Sequence, residues 1–327
     1  MRLLHFDPVE NLGGPPSAAA ATAYTLFWPD SSRSAPTLAN AHLSPAHFTP
    51  VKLVDSTPCA DHNTRLLTLQ IPASSIPKHN WTPIWSIFIK DDDIQVERPY
   101  TPLEGIDDQG CMKFWIKRYA KGEVGRWLHS KKAGEMVEIR GPVVTWPWQE
   151  DMPDDIVMVS GGTGITPFYQ LLHELVLKKG ALDSKTRFTL LHSSRSPAEL
   201  PPPNILVPLI AHAKAHPQQL SISLFVDSLD GSHHPSISSS ELKVGRVDQN
   251  AIEHAIGNSR NLKTWWSKLL RIDRDEKQKD RQTHFLICGP DPMVAAVAGP
   301  FGRNFSQGAV GGILGSMGFE RTQVWKL

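Results

Sequence analysis

Residues 156–167 read IVMVSGGTGITP. An apolar run, Ile156 to Val159, passes through Ser160 into the turn Gly161-Gly162-Thr163-Gly164-Ile165-Thr166-Pro167. Phe168, Leu171, Leu172, Leu175 and Val176 then recur at helical spacing. An unbroken apolar run bounded by turn residues reads as a strand buried on both faces. Pro167 suits the first helical position, with Thr166 before it as a cap. A strand, a glycine-rich turn and a helix start together let the backbone approach a dinucleotide closely. The turn is not GxGxxG, and no P-loop lysine follows it, which argues against an NTPase.

The same grammar continues downstream. FTLLH (188–192), SISLFV (221–226) and HFLIC (284–288) are further apolar strands, and residues 206–215 and 248–256 have helical character. Apolar strands alternating with helices imply a parallel sheet with covered faces. Upstream the pattern is shorter and alternating. Phe48–Val54, Arg65–Ile71, Trp85–Lys90, Cys111–Tyr119 and Met136–Arg140 read as strands, with one short helix at Gly125–Ser130. Regularly spaced strands with turns between them predict an antiparallel barrel. The reading divides the chain into a flexible segment 1–47, a barrel domain 48–145, a linker 146–155 around the Trp146-Pro147-Trp148 run, and a parallel-sheet domain 156–327. The charged run KLLRIDRDEKQKDR (268–281) reads as a solvated stretch.

Composition narrows the function. The 327 residues carry 34 Lys+Arg against 33 Asp+Glu, a formal net charge of +1, which lowers the rank of a dedicated nucleic-acid binder. Three cysteines, Cys59, Cys111 and Cys288, are widely spaced, so neither a disulfide framework nor a zinc ribbon is expected, and no metal site is assigned. No apolar run reaches the length of a membrane-spanning helix, which leaves peripheral membrane association open.

Three more constellations carry chemistry. In Arg98-Pro99-Tyr100-Thr101, the guanidinium can fork onto a pyrophosphate, the phenol ring can lie against a planar heterocycle, and Thr101 can hydrogen-bond a ring nitrogen. Gly122-Glu123-Val124-Gly125 is a glycine-bracketed turn into a helix and presents free N–H groups to an anion. Cys288-Gly289-Pro290-Asp291-Pro292-Met293 follows an apolar strand directly, so its thiol faces the ligand crevice of an open α/β sheet. Each segment alone reads equally as a turn or a strand end.

In this order, RPYT, GGTGITP and CGPDPM make residues 48–327 resemble the ferredoxin reductase-like flavoprotein superfamily, and within it the NADH-cytochrome b5 reductase branch. The resemblance implies an FAD-binding antiparallel barrel followed by a Rossmann-like NAD(P)-binding sheet. It implies FAD contacts at Arg98, Pro99, Tyr100 and Thr101, and at Lys117 and Tyr119 of an IKxY strand. It implies a phosphate loop at Gly122, Glu123, Val124 and Gly125, where Val124 and Gly125 replace the family's Met and Ser. It places the nicotinamide at Gly161, Gly162, Thr163, Gly164, Thr166 and Pro167, and at Cys288, Gly289, Pro290 and Met293, with Asp291 in place of a proline. Thr101, Thr166 and Cys288 are the residues expected at the reacting rings.

Asp227, just past the strand ending at Val226, is the expected reader of the ribose 2′-hydroxyl and favours NADH. Ser193, Ser194 and Arg195 follow the preceding strand, where NADPH-using relatives carry a Ser/Arg pair. The expected activity is hydride transfer from NADH to FAD, then single electrons to a haem-protein acceptor such as a cytochrome. Lys113, Lys117, Arg118, Lys121, Arg126, Lys131 and Lys132 form a basic stretch, read as a steering surface or a plain solvated face. Two alternatives remain: an NADPH-dependent reductase of another acceptor, and a non-catalytic flavin-binding assembly factor for cytochrome maturation. The segment 143–155 is short and lacks an aromatic loop over the adenine half of FAD, and the chain ends Gln323-Val324-Trp325-Lys326-Leu327. These departures resemble mitochondrial flavoproteins that support haem attachment to cytochrome c, which implies a mitochondrial location, with the cytoplasm as the alternative.

Overall fold

The first strand of the barrel, β1 (Thr49–Pro58), buries Val51 and Leu53 and turns Lys52 outward, the alternation of a half-buried strand. It pairs antiparallel with β2 (Thr64–Gln70) on one side and β6 (Met136–Val144) on the other. β3 (Trp85–Lys90), β4 (Glu97–Tyr100) and β5 (Cys111–Lys117) complete a six-stranded sheet in the order β4-β3-β6-β1-β2-β5. One apolar cluster fills it, including Leu53, Leu69, Ile87, Ile89, Phe114 and Ile139. Each such side chain contributes about 1.5–3 kcal/mol when fully buried. The two edge strands, β4 and β5, are not paired with each other. The helix α1 (Glu123–Ser130) follows β5 and buries Val124, Gly125 and Leu128.

This computed structural model describes residues 35–39, 41–76, 82–93, 95–146, 152–178, 185–257 and 281–327. Thr37–Leu327 form one compact unit. The expectation of a flexible segment up to residue 47 is corrected from Thr37 onward. Leu38 N–H donates to the Phe48 carbonyl (2.8 Å), and Leu43 is buried in the barrel core with its N–H on the Ser75 carbonyl (3.0 Å). A single well-placed leucine anchors a stretch whose prolines read as loop. Residues 1–34 lie outside the described residues, as does the charged run up to residue 280.

The second sheet is parallel throughout, in the order β10-β9-β8-β7-β11-β12. Its strands are β7 (Asp155–Gly161), β8 (Arg187–Ser194), β9 (Leu220–Val226), β10 (Leu242–Val244), β11 (Thr283–Cys288) and β12 (Val324–Lys326). Every residue of β7 is buried, as its unbroken apolar run demands of a central strand covered on both faces. The covering helices are α2 (Thr166–Leu172), which continues as a wider turn to Lys178, α3 (Pro203–Ala215), α4 (Gln249–Gly257), α5 (Asp291–Ala298) and α6 (Gly312–Ser316). Strand order runs outward in one direction through β8 and β9, and in the other through β11 and β12. The reversal between β7 and β11 makes their carboxyl ends the topological switch point, where such sheets bind ligands.

The expected linker 146–155 is corrected at both described ends. Trp146 is buried in the same apolar cluster as Ile84, Leu103 and Trp115 of the barrel and Ile156, Phe168 and Leu171 of the sheet. Asp155 already begins β7, where its buried carboxylate accepts from Arg187 Nε (3.1 Å) and Arg281 Nε (2.8 Å). The two domains thus share a continuous core. A buried hydrogen bond, Trp85 N–H to Gln170 Oε1 at 2.9 Å, crosses from β3 to α2. Among the described residues no helix is long and apolar enough to cross a membrane.

Candidate active site

A cleft of about 630 Å³ opens where the barrel leaves its edge strands unpaired and the second sheet reverses its strand order. That volume lies in the ordinary range for cofactor sites, about 300–1,000 Å³. From β4 come Arg98, Pro99 and Tyr100, with Thr101 just beyond. From β5 and its exit come Lys117 and Tyr119, and from the start of α1 come Gly122, Glu123, Val124 and Gly125. The sheet supplies Gly161, Thr163, Gly164, Thr166 and Pro167 after β7, and Cys288, Gly289 and Pro290 after β11. Residues from four separate segments therefore meet in one cavity.

Three of the expected residues stand outside its lining. Gly162 has φ +54° and open space around it, so it serves the bend of the turn. Met293 packs beneath the cleft, its sulfur where a Gly161 side chain would be. Asp227 lies past β9 and is bonded to Arg246 Nε at 3.2 Å. Ser86, Trp115, Ile116, Lys121, Thr145 and Leu327 also line the cleft, among residues the sequence reading did not assign to it. The alternation of β3 was the available signal for Ser86, once its strand was known to flank the opening; consecutive residues of β5, Phe114 to Lys117, line the cleft, so alternation gave no signal there.

The residues present fit an FAD. Arg98 is exposed in the cleft, and among the described residues no carboxylate pairs with it. The carboxylate of its neighbour Glu97 is taken bidentately by Arg140, at 2.6 Å to both oxygens. Gly122 caps α1 without any side-chain hydrogen bond, so the first-turn N–H groups remain for an anion at the cleft wall. A Cβ at Gly125 would stand 2.8 Å from the Lys117 carbonyl oxygen. A side chain such as serine could not sit on this backbone, so any phosphate there would be met by main-chain N–H groups. Burial pushes the Tyr100 phenol well up, so it stays a protonated donor. Thr101 Oγ1 is 2.9 Å from Ser86 Oγ, which fixes the hydroxyl at the cleft floor.

On the sheet side, Gly164 is pressed against the Cys288 carbonyl, which leaves no room for a side chain. The two turns that flank the switch point are in backbone contact. Burial pushes the Cys288 thiol up to about 12. It is neutral at any working pH, the state of a small polarizable side chain and not of a thiolate nucleophile.

Beneath the turns runs a buried chain of hydrogen bonds. Ser160 Oγ meets His192 Nδ1 at 2.8 Å, His192 Nε2 meets Ser194 Oγ at 3.1 Å, and Ser194 Oγ donates to the Glu199 carbonyl at 3.2 Å. Since Ser194 spends its proton on Glu199, it accepts from Nε2–H, and Nδ1 accepts from Ser160. Burial pushes His192 down to about 3. Its folded pKa lies below its unfolded one, so the unfolded chain takes up the extra proton between about pH 6.5 and 3. Stability from this group is full above pH 6.5 and falls as the pH drops, by up to about 1.4 kcal/mol per pH unit. Comparing urea midpoints at pH 7 and pH 5 tests this: the loss should be smaller in His192→Asn than in the unaltered protein. Equal losses would show that His192 is not held neutral.

The basic stretch is partly spent internally. Lys113 pairs with Glu104 (3.1 Å), Lys117 with Glu199 (2.8 Å) and Lys131 with Asp92 (2.8 Å). Among the described residues Lys121, Arg126 and Lys132 carry no ion pair. Trp325 does not reach the cleft: it packs on the shared core and donates Nε1–H to the Thr145 carbonyl at 3.1 Å.

Comparison with known proteins agrees with this geometry. The oxidoreductase FAD-binding domain family matches residues 51–148, and the oxidoreductase NAD-binding domain family matches residues 158–299. The chain is 28% identical over 272 residues to NADH-cytochrome b5 reductase 2 of Lodderomyces elongisporus, covering 81% of this chain and 79% of that protein. It is 27% identical over 319 residues to the Scheffersomyces stipitis protein of the same name, covering 95% and 94%. Among solved structures, the cytochrome b5 reductase domain of Ulva prolifera nitrate reductase aligns with a TM-score of 0.61 at 20% identity, covering 88% of this chain and 100% of that one. The ferredoxin NADP+ reductase of Neisseria gonorrhoeae aligns with a TM-score of 0.55 at 16% identity, covering 86% and 98%. The chain thus carries an oxidoreductase FAD-binding domain followed by an oxidoreductase NAD-binding domain, on a fold shared with the cytochrome b5 reductase domain and the ferredoxin NADP+ reductase.

Proposed function

We propose that this protein is an NADH-dependent FAD oxidoreductase that delivers electrons to a haem-protein acceptor. The observation that carries this reading is the convergence of Tyr100 and Thr101 from the barrel with Gly164, Thr166 and Cys288 from the sheet on one cleft. FAD supplies the chemistry when bound, taking a hydride from the nicotinamide and releasing electrons singly. The protein's own part is positioning. Arg98 and the start of α1 hold the flavin dinucleotide's phosphates. Tyr100 presents a flat, protonated phenol, and Thr101 presents a hydroxyl held by Ser86. The Gly161–Pro167 turn lets the nicotinamide half approach the backbone, and the neutral Cys288 thiol closes the wall without competing for the hydride. No side chain need serve as a general base.

The names of the relatives support cytochrome b5 as the acceptor class. Lys121, Arg126 and Lys132 would meet an acidic partner surface. A mitochondrial location, with the cytoplasm as the alternative, rests on the resemblance of sequence alone. Anaerobic titration with NADH tests the reading. One equivalent should bleach the flavin absorbance, and oxidised cytochrome b5 added afterwards should restore it. Flavin that stays oxidised under NADH would overturn the enzyme reading in favour of a binding scaffold.

A further inference from the structure

Glu199 ends a short turn, Pro197–Glu199, that follows β8. Its Oε2 accepts from Lys117 Nζ at 2.8 Å and from Arg195 Nε at 3.0 Å, and its Oε1 accepts from Arg195 Nη2 at 2.7 Å. Lys117 belongs to the barrel and Arg195 to the sheet, so one carboxylate gathers a cation from each domain at the edge of the cleft. The Lys117 and Glu199 side chains are only 12% and 19% exposed, drier than an ordinary surface pair. Burial alone would raise the Glu199 carboxyl, but the bonds from Lys117 and Arg195 outweigh it and hold the group below the usual range. The residue is also fixed from behind, because its carbonyl accepts from Ser194 Oγ in the buried chain described above.

Arg195 stands beside Asp227. β8 and β9 are parallel neighbours with Ser194 opposite Val226. Asp227 N–H donates to the Ser194 carbonyl at 3.1 Å, and Ser228 N–H donates to the Arg195 carbonyl at 3.2 Å. The carboxyl ends of adjacent strands are where a dinucleotide's adenosine ribose is read. A carboxylate there accepts from a 2′-hydroxyl, whereas an arginine accommodates a 2′-phosphate. This chain carries both groups side by side, and what differs is their freedom. Among the described residues Asp227 is held by Arg246 alone, which is 83% exposed and screened by solvent. Arg195, itself 69% exposed, commits the Nε and Nη2 edge of its guanidinium to Glu199, whose carboxylate is only 19% exposed.

Resting on the reading of this cleft as a pyridine-nucleotide site, we propose that Glu199 determines coenzyme specificity: it engages and neutralises Arg195, so that Asp227 reads an unphosphorylated ribose and NADH is taken over NADPH. Glu199 acts through Arg195 and is a positioning residue.

The test uses the FAD-loaded protein and its Glu199→Gln variant, which keeps the side-chain shape and removes the charge. Calorimetry with 2′,5′-ADP and with 5′-AMP reads the ribose site without turnover. In the variant, 2′,5′-ADP should bind about tenfold tighter while 5′-AMP stays within about twofold, the size expected for a released charge-assisted fork. The NADPH-to-NADH ratio of kcat/KM should rise by a similar factor, through KM. Adding Arg195→Ala to Glu199→Gln should cancel both gains. That separates the proposal from a general loosening of the domain contact through Lys117. An unchanged ratio, or a gain that survives loss of Arg195, would overturn the proposal while leaving NADH use intact. Failure of the unaltered protein to bind 5′-AMP or to be reduced by NADH would overturn both readings together.

Discussion

Gly164→Ala is expected to slow reduction of the flavin by NADH at least about a hundredfold while leaving FAD bound. A methyl group at this position would collide with the Cys288 carbonyl, stand 2.6 Å from its carbon and 2.8 Å from Gly289 Cα. All three are backbone atoms, so no rotamer change relieves the clash. The Gly161–Pro167 turn and the Cys288–Pro290 turn must separate, and both line the sheet side of the cleft, the half that the proposed function gives to the nicotinamide. A displacement near 1 Å at a site that works by positioning costs on the order of 10²-fold in rate. The barrel residues proposed to hold FAD are untouched, so flavin content should remain near that of the unaltered protein. Stopped-flow bleaching by NADH measures the effect, with flavin absorbance as the internal control. A drop of less than about fivefold would mean that the two turns need not touch for the reaction.

Arg98→Ala should weaken FAD by about 10–100-fold, the range of a lost charge-assisted bond to a phosphate. Arg98 is positioned for that bond by its strand. Glu97 and Arg98 alternate across β4, so the Glu97 carboxylate faces Arg140 and leaves Arg98 to the cleft. Among the described residues its guanidinium donates only to the Glu97 carbonyl, at 2.8 Å, which does not neutralise it. Binding of 5′-AMP, which belongs to the sheet, should change by less than about twofold. Fluorescence titration of the apoprotein with FAD, alongside calorimetry with 5′-AMP, makes the comparison. The reverse ranking, with the nucleotide weakened more than the flavin, would remove Arg98 from the FAD site.

Much of the fold was legible because it rests on local pattern. β3 falls where its alternation placed it, at Trp85–Lys90, and β7 lies under the apolar run that opened the reading. β4 was missed as a strand because ERPY has no apolar alternation; it exists because β3 offers it an edge to pair with. β12 was missed for the same reason, being three residues long and held by β11. Leu43 looked like loop among prolines and is core. The distances that organise coenzyme choice were out of reach. Lys117 and Glu199 are 82 residues apart, and each is an unremarkable charge in its own segment.

The chain's order of residues was enough to read an antiparallel sheet followed by a parallel one, and to name segments that the fold brings to one cleft. Strand periodicity and glycine-rich turns are local consequences of backbone sterics and burial, readable over a dozen residues. Only the folded molecule decided that Asp227 sits outside the main cleft with Arg246, that Trp325 is half-buried against the shared core, that His192 is held neutral, and that Arg195 pairs with Glu199. Those outcomes depend on which charges and carbonyls the packing of distant segments brings within hydrogen-bond reach, and short-range pattern carries no record of that.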